Sequence, residues 1–167
     1  SHSGEPRHTE RVAALLARIG ADENALACGT HEPYFFRTLG QTPAPGERFN
    51  RLHHNCSGKH TGMLMLAHVL GKPLANYLDV SHPVQQAIAQ SVAHFSGIAP
   101  ERLVRGTDGC SAPNHALPLR ALAQAFARLT LAEPDPVFGT APHRVARAMS
   151  RHPEMVCGEG RNDLVLM

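Results

Sequence analysis

The run Asn55-Cys56-Ser57-Gly58-Lys59-His60 stands at the head of an apolar, helix-like stretch, and Asp108-Gly109-Cys110 follows some fifty residues later. Two thiols, a lysine, a histidine and a carboxylate fall in two tight clusters. A helix that begins near Ser57 puts Cys56, Lys59 and His60 at i, i+3 and i+4. They then share one face at the helix N-terminus, where unpaired N–H groups and the helix dipole favour anions such as a thiolate. Asp108-Gly109-Cys110-Ser111-Ala112-Pro113 reads as a tight turn between an extended piece and a helix, a place where side chains reach into a cleft. That density of reactive groups points to an enzyme active site.

The rest of the chain reads as mostly α. Thr9 to Ile19 forms an amphipathic helix with Val12, Leu15, Leu16 and Ile19 on one stripe, ended by Gly20. Residues 22–55 carry Pro33, Pro43, Pro45 and Gly46, so they read as loop with one short helix near Tyr34–Leu39. Ser57 to Leu70 is a helix stopped at Gly71-Lys72-Pro73. His82 to Phe95 is another, with Pro83 in its first turn and Val84, Ile88, Val92 and Phe95 turned inward. Leu103 to Thr107 is a short extended piece. Pro118 to Leu129 is a helix expected to bury Leu119, Leu122, Phe126 and Leu129, and Pro142 to Arg151 is a last one. No internal repeat or low-complexity tract is present. The 167 residues, 43% of them hydrophobic, suffice for one domain spanning 1–167.

Charge and cysteine usage narrow the function classes. A net charge of +2 with scattered charges and no basic, aromatic-interleaved stripe speaks against nucleic acid. No apolar run reaches membrane-spanning length. Cys28, Cys56, Cys110 and Cys157 could form two bridges in an exported protein, but no leader is visible, and the chemistry around Cys56 and Cys110 favours reduced thiols in the cytoplasm. Only two lysines, Lys59 and Lys72, occur among sixteen cationic residues. One of them lies inside the reactive cluster, where an amine that can lose its proton has uses that arginine lacks.

Three readings of the clusters remain open on these grounds. The first is a metal site built from Cys56, Cys110 and a nitrogen of Lys59 or His60, with an open position for water, a donor set that suits zinc. Neutralising a lysine from its ordinary pKa of about 10.4 costs roughly 4–5 kcal/mol at pH 7. Structural zinc binding is worth about 10–16 kcal/mol in model peptides, so the cost is bearable. The second is covalent catalysis by Cys56 or Ser57 with Lys59 or His60 as base. The third is a buried cysteine pair with a capping serine. Elsewhere, Cys28-Gly29-Thr30-His31-Glu32-Pro33 reads as a surface turn with a buried Cys28. Cys157 reads as a core thiol, and Gly158-Glu159-Gly160-Arg161 as a flexible turn whose Arg161 could hold a carboxylate. His68, His94, His115, His143 and His152 read as surface groups.

Taken in order, Ser1-His2-Ser3-Gly4-Glu5-Pro6, Cys28-Gly29-x-His31-x-Pro33, Asn55 to His60 with Gly62-Met63-Leu64, His82-Pro83-Val84-Gln85, Asp108-Gly109-Cys110, Leu117-Pro118-Leu119 and Gly158 to Arg161 resemble the rhizobial-type (class 3, thermolabile) L-asparaginases along essentially the whole chain. The resemblance implies hydrolysis of L-asparagine to L-aspartate and ammonia by a cytoplasmic homodimer. The implied fold is the mainly α portion of an α/β fold similar to the serine β-lactamases and penicillin-binding proteins. It implies zinc held by Cys56, Lys59 and Cys110, with His60 and Asp108 beside it positioning water or substrate. It also implies two Ser–Lys pairs, one of whose serines matches Ser1. Members of that family are about twice this long. No Ser-x-x-Lys occurs in residues 1–167, so the chain is expected to be an internal, central helical segment with part of the nucleophile machinery outside it. His54 and Ser111 stand where the family usually has asparagine and glycine. Two further readings are an amidohydrolase of glutamine or a β-aspartyl amide, and a non-catalytic zinc-binding fragment that needs a partner chain. A fourth has Ser1 acting through its own α-amino group.

Overall fold

A computed structural model describes residues 1–167, which divide into two compact units: 1–77 with 152–167, and 78–151. The first unit is built on two helices, α1 (Pro6–Ala17) and α3 (Ser57–Val69), which pack together. α1 begins where Pro6, whose missing N–H costs nothing in a first turn, follows Glu5. The Glu5 N–H donates to Nδ1 of His8 at 3.1 Å, which satisfies one donor left over at the helix start. Val12 and Leu16 are buried and Leu15 and Ile19 half-buried, as their spacing requires. The chain turns out of the helix at Gly20, whose left-handed φ of 69° lets the Ala21 N–H reach the Leu16 carbonyl at 3.1 Å.

Between these helices the chain is irregular. It contains α2 (Tyr34–Thr38) and single 3₁₀ turns at Glu23–Ala25 and Arg51–His53. α3 buries Ser57, His60, Thr61, Met63, Leu64 and Ala67, a stripe at i, i+3, i+4 and i+7 that marks one helical face. It ends as expected near Gly71, where the Lys72 N–H bonds the Ala67 carbonyl at 2.9 Å. Residues 152–167 add two short helices, α7 (Pro153–Val156) and α8 (Asn162–Leu166), in a stretch whose sequence carries no clear helical period.

The second unit holds α4 (Pro83–Ser96), a two-stranded antiparallel hairpin of β1 (Val104–Thr107) and β2 (Pro113–Ala116), α5 (Leu119–Leu129) and α6 (Ala141–Arg151). Nδ1 of His82 accepts the Val84 N–H at 3.2 Å and so caps α4. Gly97, at φ 72°, stops it. Ala89, Ala93 and Leu103 make the core of this unit, with Val92, Ile98 and Leu117 against it. Of the four α4 residues read as inward, Val84 is buried and Ile88, Val92 and Phe95 are half-buried.

Two expectations fail here. Asp108–Pro113 leads into a second strand rather than directly into a helix, because residues 104–107 pair back on 113–116 with Val104 opposite Ala116. On α5, Leu119 is 80% exposed and Leu122 and Phe126 are also exposed, with Leu129 half-buried. The stripe turned inward is Ala121, Gln124 and Ala125 instead. That side meets the end of α4, where Gly97 leaves room for Gln124: a Cβ added there would lie 3.0 Å from its Nε2. No helix is long and apolar enough to cross a membrane.

Candidate active site

In the first unit, Cys56 heads α3, 8% exposed, with its sulfur at the positive end of that helix. Its N–H donates to Nδ1 of the buried His54 at 3.0 Å. Lys59 and His60 follow at i+3 and i+4 as read from the sequence, but their environments differ. Lys59 is on the exposed side, whereas His60 is fully buried. Nδ1 of His60 lies 2.6 Å from the hydroxyl of Tyr77, and that hydroxyl accepts the Ala27 N–H at 2.9 Å.

The hydrogen-bond pattern fixes what Ser57 does. Nδ1 of His2 accepts the Gly4 N–H at 3.1 Å, so Nε2 carries the proton of the neutral ring. Nε2 then donates to Oγ of Ser57 at 2.9 Å, and Ser57 donates onward to the Leu52 carbonyl at 2.8 Å. His2 cannot take a proton from Ser57, because the nitrogen facing it is itself the donor. Burial, with the nearby His8 ring adding to it, lowers the His2 pKa from 6.5 to about 3 and keeps that ring neutral. Ser57 is therefore a fully buried hydroxyl that links His2 to the Leu52 carbonyl.

The opening segment is tied to the last one through Glu5, 5% exposed. Its Oε1 accepts the Ser3 hydroxyl at 2.6 Å and the Glu159 N–H at 2.7 Å, and its Oε2 meets Nε of Arg7 at 2.8 Å. Nε2 of His8 donates to the Glu154 carbonyl at 2.8 Å and stacks on His2 at 4.8 Å. Gly158 closes this knot at φ 114°, and a Cβ there would run into Oγ of Ser3 and Oε1 of Glu5. The Gly158–Arg161 turn is thus pinned at its start rather than loose throughout. Ser1 is exposed and Arg161 half-buried.

In the second unit, Asp108 and Cys110 sit in the hairpin turn. The Asp108 N–H bonds the Ala112 carbonyl at 2.9 Å, and Oδ1 of Asp108 accepts the Gly109 N–H at 2.7 Å. The Cys110 thiol, 2% exposed, donates to Oδ2 of Asp108 at 3.6 Å. Ser111 takes a left-handed φ of 67°, a conformation that costs roughly 1–2 kcal/mol for a residue with a Cβ and nothing for glycine. All four cysteines are buried thiols, Cys28 and Cys157 among them as read from the sequence. Of the histidines read as surface groups, His68 and His152 are exposed, and His94, His115 and His143 are half-buried.

Cys56 in the first unit, and Asp108 with Cys110 in the second, are sulfur and carboxylate donors of the kinds that bind metal ions. Sequence reading placed Glu5 and Gly158 within motifs but gave them no structural role, and it missed Tyr77 altogether. Each acts through a partner far along the chain, and a glycine set between Cys157 and the charged Glu159 was the one local hint. A family model described as L-asparaginase II matches residues 1–167. A search of the curated proteins found no match.

Proposed function

This chain belongs to the L-asparaginase II family, matched over residues 1–167, and from that premise we propose that it carries the metal-bearing part of an enzyme that hydrolyses L-asparagine to L-aspartate and ammonia. The whole-length family match is the observation that carries the reading. The proposed metal is zinc, which Cys56, Lys59 and Cys110 would hold. Two buried thiols and a carboxylate suit that ion, so the donor chemistry fits. When bound, zinc supplies positive charge that orients and polarises an oxygen of the substrate.

The chain's own residues have separate roles in this proposal. α3 presents Cys56 at its N-terminus, and Asp108 holds the Cys110 thiol at the tip of the hairpin. His60 and Asp108 position water or substrate. Arg161 is a carboxylate-binding candidate. A serine oxygen attacks the side-chain amide carbon after a lysine takes its proton. Ammonia leaves with a proton returned, and water then resolves the acyl-enzyme. Ser1 is the serine of one such pair. Its lysine and the other pair lie outside these residues, since the chain's lysines, Lys59 and Lys72, are not in a Ser-x-x-Lys arrangement. A cytoplasmic homodimer with the helical architecture of the serine β-lactamases completes the proposal.

The test is ammonia release from L-asparagine by the purified 167-residue chain supplied with zinc, with glutamine and a β-aspartyl amide as competitors. The expected result is zinc binding without turnover. Turnover by the chain alone would overturn the Ser–Lys assignment and move the nucleophile to Ser1, Ser57 or Cys56. A second reading, a zinc-binding fragment that works only with a partner chain, has the exposed apolar residues Leu119, Leu122 and Phe126 of α5 in its favour. It requires that no longer form carrying these residues release ammonia by itself.

A further inference from the structure

Two buried imidazole rings stack where the opening segment meets α1. His2 is 8% and His8 1% exposed, and their centroids lie 4.8 Å apart. Each takes a backbone N–H on Nδ1, His2 that of Gly4 and His8 that of Glu5, both at 3.1 Å. A backbone N–H can only donate, so both Nδ1 atoms are unprotonated acceptors. Each ring therefore carries its proton on Nε2. From there His2 donates to Oγ of Ser57 at 2.9 Å and His8 to the Glu154 carbonyl at 2.8 Å.

Amide and carboxylate side chains ordinarily fill these places. Asn or Asp takes the N–H two residues on in a turn, and Gln or Glu at the third helical position reaches back to the N-cap N–H. His8 occupies that third position of α1. Histidine fills either place only while neutral, because a second proton goes to Nδ1 and sets one N–H against another. Burial, then the stacked His8 ring, the amino group of residue 1, His54 and His31 all oppose positive charge on His2. The acidic groups nearby are engaged elsewhere: Glu5 with Ser3, Arg7 and the Glu159 N–H, and the Glu154 carboxylate with His152.

We propose that the His2–His8 stack is an acid-operated latch: a solvent proton taken up on either Nδ1 breaks the Gly4 or Glu5 hydrogen bond and frees residues 1–5 from α3 and from the closing segment. The two rings join three stretches of the first unit. Ser57 ties the opening segment to the head of α3, while Glu154 and the Glu5–Glu159 bond tie it to residues 153–159. A charged ring is relieved by turning out to water, and the segment that bears His2 moves with it. Under the asparaginase reading that segment also carries Ser1, so release displaces this serine; the latch itself stands without that reading.

The experiment is amide hydrogen exchange read by NMR at pH 7 and pH 5, corrected for the intrinsic pH dependence of exchange. This window lies above the ordinary carboxylate pKa of about 4.3, so histidines are the side chains that titrate in it. A ring with pKa 6.5 when released and about 3 when held lowers protection on the order of 25-fold across the window. Gly4 and Glu5 are expected to show that loss, while the Leu64 and Ala67 amides of α3 keep their protection. His2→Asn combined with His8→Gln keeps both acceptors without the titration, and its protection at Gly4 and Glu5 is expected to stay level. Level protection in wild type overturns the latch, and so does a double variant that loses protection as steeply as wild type. Loss at the α3 amides in step with Gly4 and Glu5 overturns it too, since the unit would then be unfolding as a whole. Should the double variant not fold, the single variants are read in its place, each expected to lessen the pH dependence, and the wild-type comparison with α3 still decides. Exchange is read whether or not the chain releases ammonia, so failure of the asparaginase reading leaves this test intact.

Discussion

Gly158→Ala is expected to be among the most damaging single-methyl additions in this chain. The residue sits at φ 114°, outside the ordinary backbone range for a side chain, and a Cβ would run into Oγ of Ser3 and Oε1 of Glu5. The backbone strain alone is worth about 1–3 kcal/mol. To make room, Glu5 must give up the Ser3 hydroxyl or the Glu159 N–H, and a hydrogen bond to a charged group contributes about 1.5–3 kcal/mol. The two together come to roughly 2.5–6 kcal/mol. For a chain of this size each kcal/mol moves Tm by about 2–4 °C, so a fall on the order of 10 °C is expected. The control is Gly29→Ala, where φ is 76° but no atom lies within 4 Å of the added Cβ, so only backbone strain operates. Thermal denaturation of both variants beside wild type is the assay. Equal losses in Tm would refute the claim that the Ser3–Glu5–Gly158 contact holds the two ends of the first unit together.

Other expectations follow from the same contacts. His2 is held neutral in the fold, with its pKa lowered from 6.5 to about 3 chiefly by burial. The unfolded chain therefore binds more protons across that range, so stability is full above pH ~6.5 and is lost as pH falls toward 3, by an amount on the order of 4 kcal/mol. Denaturant melts of wild type and His2→Gln between pH 7 and 4 check this, and parallel pH slopes would speak against it. Ser57→Ala leaves the Leu52 carbonyl without its donor and should cost about 1–3 kcal/mol of stability with zinc binding retained; metal analysis of the folded variant is the check. Asp135 is pulled down to about 2, first by the hydrogen bond from His94 and also by the Phe138 and Val137 amides. Asp135→Ala should accordingly speed hydrogen exchange at those two amides, and unchanged exchange would show the turn to be held by other contacts.

The helices were legible where their ends carry stereochemical signals. His82-Pro83 with Gly97, and Gly20 after the Val12–Ile19 stripe, mark ends that nearby residues alone determine. The hairpin was not, because β1 is exposed along its whole length and β2 only half-buried at alternate positions, so neither carries an apolar alternation. The face of α5 was misread because a hydrophobic stripe says which residues would gain from burial and not which side the neighbouring helix meets; that side carries Ala121, Gln124 and Ala125, with Gln124 against Gly97. At the site, the Cys56–His60 and Asp108–Cys110 clusters were legible as local runs of reactive groups. Tyr77, Glu5 and the partnering of Ser57 were not. Tyr77 meets Ala27 from 50 residues away and Glu159 meets Glu5 from 154 residues away, distances across which no periodicity carries information.

The most direct test of the central claim is the zinc content of the purified chain and of Cys56→Ser and Cys110→Ser, measured by mass spectrometry after dialysis against a weak chelator. Bound zinc in wild type, lost in both variants while the fold is retained, is the expected result. Zinc content unchanged in both variants, or no zinc in the wild type, would contradict the assignment of Cys56 and Cys110 as its ligands.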